Sequence, residues 1–381
     1  MTSIMSPLNG TASHIDERSR LKLQDNLRGA AENMETPNDT MLRLFNAGLE
    51  VSVAKVGVDL GLFKALAATE GGSLGVEDFV AKQPGADPML LERLFRYLAS
   101  VRMITETGKG LYAANQVTVT LADDSIEGSL QYIFNIGNPV YQSLPSFLQS
   151  TNFQTTTGGK YAWHDSRPTD LDFFPWAKQN PTQLAHFQKL MSVPRDGDWF
   201  DVVPFSSDPA ACAPTQAYFV DIGGNIGHQC RRLKAKYPSL PGRIICQDLP
   251  ETISSAPPMV EGVEMMAYDF FTPQPVAGAK YYYLRTVLHD WADEQAEVIL
   301  RNTAAAMGEG SRILIDEMVL PNTGVHWWSA CLDLHMYAML GAMERTVDQW
   351  EALLGRCGLR VVETRTYMPV MRNSVMVVEK K

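Results

Sequence analysis

The sequence predicts an α/β protein in which a doubly wound sheet of seven strands follows a helical, winged-helix-like domain. From residue 217 onward, short apolar runs alternate with helix-like stretches, which is typical of a parallel sheet with crossover helices. Between residues 42 and 101, apolar residues instead recur at helical spacing. A chain of 381 residues is long enough to bury two such cores.

The amino-terminal part is predicted to contain, in order, an arm, two helices and a hairpin. Residues 1–40 are polar and lack apolar periodicity, so we expect a mobile arm there. Apolar periodicity predicts a buried helix over residues 42–68. A second helix is expected after Asp87, which can cap it, with Pro88 in the first position. Its predicted buried face comprises Leu90, Leu94, Leu98 and Val101. The runs MITE and LYAA then flank the turn TGKG and predict a hairpin.

Helices followed by a small hairpin are typical of a winged-helix module, which can bind DNA or mediate dimerisation. The few basic side chains nearby are offset by Glu92 and Glu106, and the chain as a whole carries a formal charge of -10. Because affinity for nucleic acid depends on clustered Lys and Arg, this balance favours dimerisation and predicts no nucleic-acid partner.

Composition limits the remaining classes of protein. Hydrophobic residues make up 45% and charged residues 20%, as in ordinary globular proteins. Five cysteines, none in a C-x-x-C pair, argue against a disulfide framework and against a zinc site, so we expect buried thiols and no metal. No apolar run is long enough for a membrane span and the start lacks the features of a secretory signal, which predicts a cytoplasmic protein.

The seven predicted strands are AYFVDI, RIICQ, VEMMAY, YYYLR, SRILIDE, LRVVETR and SVMVVE. Ligands of doubly wound sheets bind at the carboxyl ends of the strands. The first of these ends is the stretch VDIGGNIGH, in which Asp221 is followed by Gly223, Gly224 and Gly227. These glycines allow a sharp turn and a close approach to a ligand. Their G-G-x-x-G spacing, with Asn225 inside the loop, differs from the dinucleotide fingerprint and disfavours a pyrophosphate.

The next two strand ends indicate an adenosine without phosphate. Asp248 follows the second strand, where an acid can accept hydrogen bonds from both ribose hydroxyls, although a helix N-cap is the alternative role. Asp269 and Phe270 follow the third strand and suit the amino group and the ring face of adenine. Together these ends predict S-adenosylmethionine (SAM) as the cofactor.

Six motifs occur in an order and spacing similar to those of one known family. They are VDIGGNIGH, QDLPETI, AYDFF, YYLRTVLHDWADE, SRILIDEMVLP and MERTVDQWEALL. From about residue 40 to residue 381, the chain resembles the caffeic acid type of SAM-dependent O-methyltransferases, in a fungal form. The resemblance implies a class I methyltransferase Rossmann-like fold, bound SAM, and a homodimer with interlocked amino-terminal helices. The chain departs from the family's G-G-G loop at Asn225, a residue that tolerates many conformations preferred by glycine.

The resemblance also implies domain bounds and further site residues. We expect the winged-helix-like dimerisation domain at 41–125, a helical linker and substrate-pocket segment at 126–200, and the SAM-binding domain at 201–381. Further residues implied around the cofactor are Leu249, Arg285 and Trp291, and those implied around the acceptor are Phe187 and Met191. Met336 and Met339 belong to a helical stripe that can be either core or part of the acceptor pocket.

The stretch VLHDWADE supplies a candidate base. A phenol has a pKa of about 10 and is a poor nucleophile at neutral pH, so methyl transfer to oxygen needs a group that removes its proton. His289 follows the fourth strand at the same predicted sheet edge, although a lone histidine can also be a core or capping residue. By resemblance, Glu317 and Glu344 flank and orient this base; taken alone, they could be an exposed strand end and a helix-entry acid.

The predicted activity is therefore SAM-dependent O-methylation of a phenolic or enolic hydroxyl on a small aromatic or polyketide-like secondary metabolite. A second hypothesis is a SAM-dependent enzyme of this fold that catalyses a pericyclic or dehydration reaction without methyl transfer. A third, a winged-helix regulator with a vestigial SAM fold, would need a basic recognition face, and the acidic balance argues against it.

Overall fold

The computed structural model describes residues 16–69, 71–154, 159–193, 197–203, 205, 213–256, 261–369 and 371–381. The chain divides into two compact units. Unit 1 comprises Met1–Ser143 and Ser166–Pro194, and unit 2 comprises Leu144–Asp165 and Arg195–Lys381. The segment 126–200, which we expected to be one linker, is thus shared between the two units.

Unit 1 is mainly helical. Its elements are α1 (Glu17–Glu32), α2 (Pro37–Asp59), α3 (Leu62–Ala67), β1 (Ser73–Gly75), α4 (Val76–Val80), α5 (Pro88–Ser100), β2 (Thr105–Gly108), β3 (Leu111–Ala113), α6 (Gln116–Ala122), α7 (Asp124–Tyr132), the π-helical turn Ile133–Gly137, the start of α8 (Asn138–Ser150), α10 (Phe173–Gln179) and α11 (Pro181–Met191). The predicted hairpin is present as β2 and β3, and β1 adds a third antiparallel strand on the other side of β3.

Composition predicted a mobile arm over residues 1–40, but α1 and the start of α2 occupy most of residues 16–40, whereas residues 1–15 lie outside the described part. The carboxylate of Asp16 caps α1 by accepting a hydrogen bond from the Ser19 N–H at 3.0 Å. A capping box formed by Thr36 and Asp39 starts α2. Short polar residues thus mark the starts of both helices, upstream of the apolar periodicity that begins at about residue 42.

The buried face of α5 differs from the predicted one. The Asp87 cap and Pro88 are as expected, but Leu91, Phe95 and Leu98 are buried whereas Leu90 is 50% exposed. Phe95 packs edge-to-face on two neighbouring rings, those of Phe79 and Tyr112. The sequence offers two overlapping apolar stripes on this helix, and these aromatic contacts select between them.

Unit 2 contains the predicted sheet of seven strands. Its elements are the end of α8, α9 (Ala162–Asp165), the 3₁₀ turn Trp199–Asp201, β4 (Ala217–Ile222), α12 (His228–Lys236), β5 (Arg243–Asp248), α13 (Pro250–Ser255), β6 (Val263–Ala267), β7 (Tyr281–Arg285), the 3₁₀ turn Leu288–Asp290, α14 (Asp293–Ala306), β8 (Arg312–Met318), α15 (Trp327–Leu340), α16 (Val347–Arg356), β9 (Leu359–Met368) and β10 (Asn373–Lys380). The strand order is β6-β5-β4-β7-β8-β10-β9. The first five strands of that order are parallel, and β10 runs antiparallel to both of its neighbours.

Both faces of this sheet are covered, so its central strands are apolar on both sides. Successive residues alternate between two separate core clusters: Phe219, Tyr283 and Leu314 belong to one, and Val220 and Tyr282 to the other. This alternation explains why the strand sequences are continuous apolar runs. It leaves polar side chains only at the strand ends, where the candidate site lies. Within the described ranges, we find no helix that combines the length and apolarity a membrane crossing needs.

Candidate active site

The parallel register brings the carboxyl ends of β4, β5 and β7 to one edge of the sheet. Ile222 pairs with Gln247 on one side and with Leu284 on the other. The segment of residues 223–227, here called the glycine loop, continues this pairing. The N–H groups of Gly223 and Gly224 donate to the Gln247 carbonyl at 2.9 and 3.0 Å. The loop is thus anchored to the neighbouring strand at its first two residues.

The glycines of the loop allow the sharp turn that we expected, and two of them also leave no room for a side chain against the protein itself. Gly223, Asn225 and Gly227 have φ angles of +72°, +54° and +79°. A Cβ on Gly223 would lie 2.9 Å from a methyl carbon of Val287. A Cβ on Gly224 would lie 2.7 Å from both the Asp221 carboxylate and the Cys246 sulfur. Asn225 adopts the left-handed conformation that it tolerates better than most residues.

Asp248 holds the loop from the second strand end. Its Oδ2 accepts a hydrogen bond from the Asn225 N–H and its Oδ1 accepts one from the Leu249 N–H, both at 2.8 Å. The N-cap of α13 is Leu249, so Asp248 is not the N-cap residue of the following helix. Its carboxylate is half-buried and oriented by backbone donors, whereas the Leu249 side chain is exposed.

Asp221 lies beneath the loop. Its side chain is only 2% exposed, and its Oδ2 accepts a weak hydrogen bond from the Cys230 thiol at 3.6 Å. Burial raises the pKa of Asp221 to about 7, although Cys230 and Arg285 oppose the shift. The structure therefore places this carboxylate as part of the loop's support.

Beside the carboxyl end of β6, three aromatic side chains pack together. The Trp291 ring packs edge-to-face on Phe270 and Phe271, with centroids 5.9 and 4.8 Å apart. Asp269 is exposed, and its Oδ1 accepts a hydrogen bond from the Phe271 N–H at 3.0 Å. The structure thus brings Asp269, Phe270 and Trp291 together. Phe271 was missed at the sequence level, although it adjoins Phe270 in the quoted motif AYDFF.

Arg285 belongs to a buried polar network under this edge. Its guanidinium lies 3.2 Å from the Asp316 carboxylate, which also accepts hydrogen bonds from the hydroxyls of Tyr283 at 2.6 Å and Tyr367 at 2.7 Å. Asp316 is buried, so these donors compensate for the desolvation of its charge.

His289 lies on the 3₁₀ turn that follows β7, between two glutamates with different tasks. Its Nδ1 lies 2.8 Å from Oε1 of Glu344. The nearest oxygen of Glu317 is 4.0 Å from Nδ1, because the other oxygen accepts the N–H groups of Val287 and Leu288 at 3.0 and 2.9 Å. Glu344 therefore orients the ring, whereas Glu317 holds the turn that carries it. Both glutamates are buried, which rules out an exposed strand end for Glu317.

Burial and charge set the protonation of this group. Burial opposes a charge on His289, but Glu317, Glu344 and Asp290 outweigh it and raise the pKa of the imidazole to about 10. Burial also raises the pKa of Glu317 to about 7 and that of Asp290 to about 6. The imidazole is thus a strong base, with Nδ1 hydrogen-bonded to the buried Glu344 carboxylate.

Arg345 is a part of the site that sequence reasoning missed. Its fully buried guanidinium donates to the carbonyls of Leu288 and Trp291, each at 2.8 Å, on either side of His289. Its Nε donates to Asp293 Oδ1 at 3.0 Å. The one available signal was its place directly after Glu344 in the motif MERT.

The residues expected around the acceptor fall into both units. In unit 1, Phe187 packs within 6.0 Å of three other rings, those of Tyr132, Phe173 and Phe174. Met191, also in unit 1, is 49% exposed. In unit 2, Met336 and Met339 are buried on α15. Their burial favours the core alternative for these two methionines.

Two family matches cover most of the chain. An O-methyltransferase domain matches residues 215–360, and an O-methyltransferase dimerisation domain matches residues 42–124. Among curated proteins, demethylsterigmatocystin 6-O-methyltransferase of Aspergillus flavus is 37% identical over 369 residues, covering 96% of this chain and 95% of that protein.

Solved structures match this chain over nearly its whole length. LepI in complex with SAM matches with a TM-score of 0.91 and 36% identity, covering 99% of this chain and 98% of that one. A structure described as a pericyclic reaction enzyme matches with a TM-score of 0.90, 36% identity and the same coverage of both chains. The predicted fold, with its seven-stranded sheet and amino-terminal dimerisation domain, is confirmed.

Proposed function

This chain belongs to the O-methyltransferase family, and on that premise we propose that it transfers a methyl group from SAM to a hydroxyl of a small secondary metabolite. The acceptor class is a phenol or enol on an aromatic or polyketide-like molecule. The observation that carries the proposal is the buried pair of His289 and Glu344, which lies at the sheet edge that also carries the glycine loop.

The residues at the strand ends fit SAM. The loop backbone is left-handed at three positions, and its G-G-x-x-G spacing differs from the dinucleotide fingerprint, which disfavours a pyrophosphate. Asp248 offers a carboxylate oriented by two backbone donors to the ribose hydroxyls. Asp269, Phe270 and Trp291 offer an acid and two aromatic rings to adenine. When bound, SAM supplies an electrophilic methyl group on a sulfonium.

The chain's own contribution to the reaction is a matched base. With Nδ1–H donating to Glu344, the Nε2 of His289 is the nitrogen left to accept the acceptor's proton. An imidazole with a pKa of about 10 is mostly protonated at neutral pH, so the fraction of active base rises with pH. In its neutral form it matches the phenol's own pKa of about 10, so the proton transfer itself is nearly balanced in free energy. Glu344 stabilises the imidazolium that forms, and Glu317 and Arg345 keep the turn in place.

The test is transfer of an isotopically labelled methyl group from SAM to a panel of phenols and enolic polyketides, followed by mass spectrometry. We expect labelled product with the wild type and at least about a hundredfold less with His289→Ala, whereas the matched histidine variant His326→Ala should retain activity. A wild-type protein that binds SAM but labels no acceptor in the panel, or a fully active His289→Ala, would contradict the proposal.

A second candidate is a pericyclic or dehydration reaction that depends on SAM without consuming it. The likeness to the structure described as a pericyclic reaction enzyme, over 99% of this chain, favours keeping it. The same assay separates the two activities. Substrate lost only when SAM is present, with no label in the product, would establish the second candidate.

We also propose that the protein acts as a homodimer. Support comes from the matched dimerisation domain and from exposed apolar side chains on α1 and α2. These side chains are Leu23, Leu27, Met41, Leu42, Leu44, Phe45 and Leu49. Apolar exposure of this extent on consecutive helices is typical of an interface between subunits.

A further inference from the structure

Beneath the glycine loop, three buried side chains direct metal-ligating atoms toward one another. The side chains are Asp221 on β4, Cys230 on α12 and Cys246 on β5, here called the Asp221 cluster, and their ligating atoms all lie within 4.8 Å of one another. Asp221 and Cys246 are register partners on adjacent strands, which places them side by side. The spacing of the cysteines along the chain predicts no zinc site, but the fold brings two of them together.

We propose that the Asp221 cluster binds one thiophilic divalent ion, for which Zn²⁺ is the natural candidate, with the carbonyl of Asn225 as fourth ligand. The sulfur of Cys230 lies 3.6 Å from Asp221 Oδ2, and the sulfur of Cys246 lies 3.6 Å from the Asn225 carbonyl oxygen. Tetrahedral zinc, with Zn–S of about 2.3 Å and Zn–O of about 2.1 Å, has a sulfur–oxygen edge of about 3.6 Å. Both observed separations equal that edge.

The donor set has the right chemistry and a route for the ion. Thiolates select soft ions such as Zn²⁺, and a carboxylate and a carbonyl complete a common coordination number of four. Asn225 is exposed, and the backbone of Gly224 lies directly over the cluster, so opening the loop gives access. This site is separate from the group of His289, Glu317 and Glu344.

Metal ions bind the thiolate form of cysteine. Coordination therefore requires the thiols of Cys230 and Cys246 each to give up a proton to the solvent.

The experiment titrates Co²⁺ and Cd²⁺, as probes, into the full chain kept reduced with a phosphine, and records the thiolate-to-metal charge-transfer absorbance. We expect one equivalent to bind, with loss of the band in Cys230→Ser and in Cys246→Ser. Cys331→Ser is the matched control, because Cys331 is exposed on α15 and is not a member of the cluster, and it should keep the band. His289→Ala should also keep it, which excludes the catalytic group as the metal site.

A wild type without a thiolate band, or a band that survives in both cluster variants, would overturn the proposal. Circular dichroism checks that the variants are folded. Calorimetry of the wild type with Zn²⁺, in two buffers of different ionisation enthalpy, gives an independent reading. Release of protons supports thiolate coordination, and binding without release contradicts it. Neither measurement uses methyl transfer, so failure here and failure of the proposed function are distinguishable.

Discussion

At the scale of single residues, the pair of His289 and Glu344 makes the clearest prediction. Removing the imidazole removes the group that takes the acceptor's proton, and general-base catalysis contributes about 10²- to 10⁴-fold. We expect His289→Ala to lower kcat by that factor while SAM affinity stays unchanged, because the polar partners of the ring in the described structure are Asp290, Glu317 and Glu344, none of which belongs to the glycine loop. Single-turnover kinetics and calorimetry check the two parts.

Replacing Glu344 by Gln should move the pH dependence in a defined direction. The carboxylate raises the pKa of His289, so its removal lowers that pKa and populates the neutral base at lower pH. In the pH profile of kcat/KM, we expect the rising limb to shift to lower pH. We also expect a lower plateau, because the base is weaker. A limb that stays in place, or moves to higher pH, would contradict the assignment of the pair.

Asp248→Ala should weaken SAM binding directly. The variant removes a charged acceptor that also fixes the Asn225 and Leu249 N–H groups. Hydrogen bonds to charged groups contribute about 1.5–3 kcal/mol, so we expect SAM affinity to fall about 10- to 100-fold. Glu251→Ala, which removes an exposed acid three residues on, is the matched control. Equal SAM affinity in the two variants would disprove the ribose role.

Gly224→Ala tests why the loop needs glycine. The added methyl carbon would lie 2.7 Å from Asp221 and Cys246, both buried. Overpacking of this kind costs about 1–3 kcal/mol, and we expect a matching fall in the free energy of unfolding. Gly355→Ala, on α16, where the added carbon would meet only the flexible Lys381 Nζ at 3.5 Å, should be neutral or stabilising. Denaturant titration compares the free energies of unfolding of the two variants. Equal values would show that the glycine loop shifts to accommodate the added methyl group.

At the scale of elements, the 3₁₀ turn Leu288–Asp290 is held in place by a residue distant in sequence. Arg345 donates to carbonyls on both sides of His289, so it positions the base without touching the reacting atoms. We expect Arg345→Met to lower kcat more than it raises KM. We also expect it to shift the rising limb of the pH profile of kcat/KM, because the distance from His289 to Glu344 sets the pKa of the imidazole. Arg345→Lys should restore part of both. A variant that loses only thermal stability would indicate a purely structural role.

Local sequence patterns predicted some features of these elements, and tertiary contacts decided others. Period and capping residues predicted the seven strands and the start of α5 correctly, because both depend on neighbours along the chain. In the predicted buried face of α5, Leu98 was correct, but Leu91 and Phe95 are buried in place of Leu90 and Leu94, because Phe79 and Tyr112, distant in sequence, decide which stripe faces inward. The helix α1 was missed because its signal is a single cap at Asp16.

At the scale of the whole molecule, the proposed homodimer depends on the exposed faces of α1 and α2. Phe45 is 77% exposed, and a charge there would be buried without a partner in a subunit interface. We expect Phe45→Glu to yield monomers in size-exclusion chromatography with light scattering. Val362→Glu, on the exposed side of β9, is the matched control and should leave the dimer intact. Dimers in both variants would place the interface elsewhere.

The sequence by itself determined the order of the strands along the chain, the polar residues at their ends and the family, because each of these is written in short, contiguous motifs. Tertiary structure alone decided that Glu317 holds backbone while Glu344 bonds the ring, that Arg345 clamps the turn, and that Cys230 meets Cys246 under the loop. These contacts join residues far apart along the chain. Sheet register and burial set them, and no local pattern encodes either.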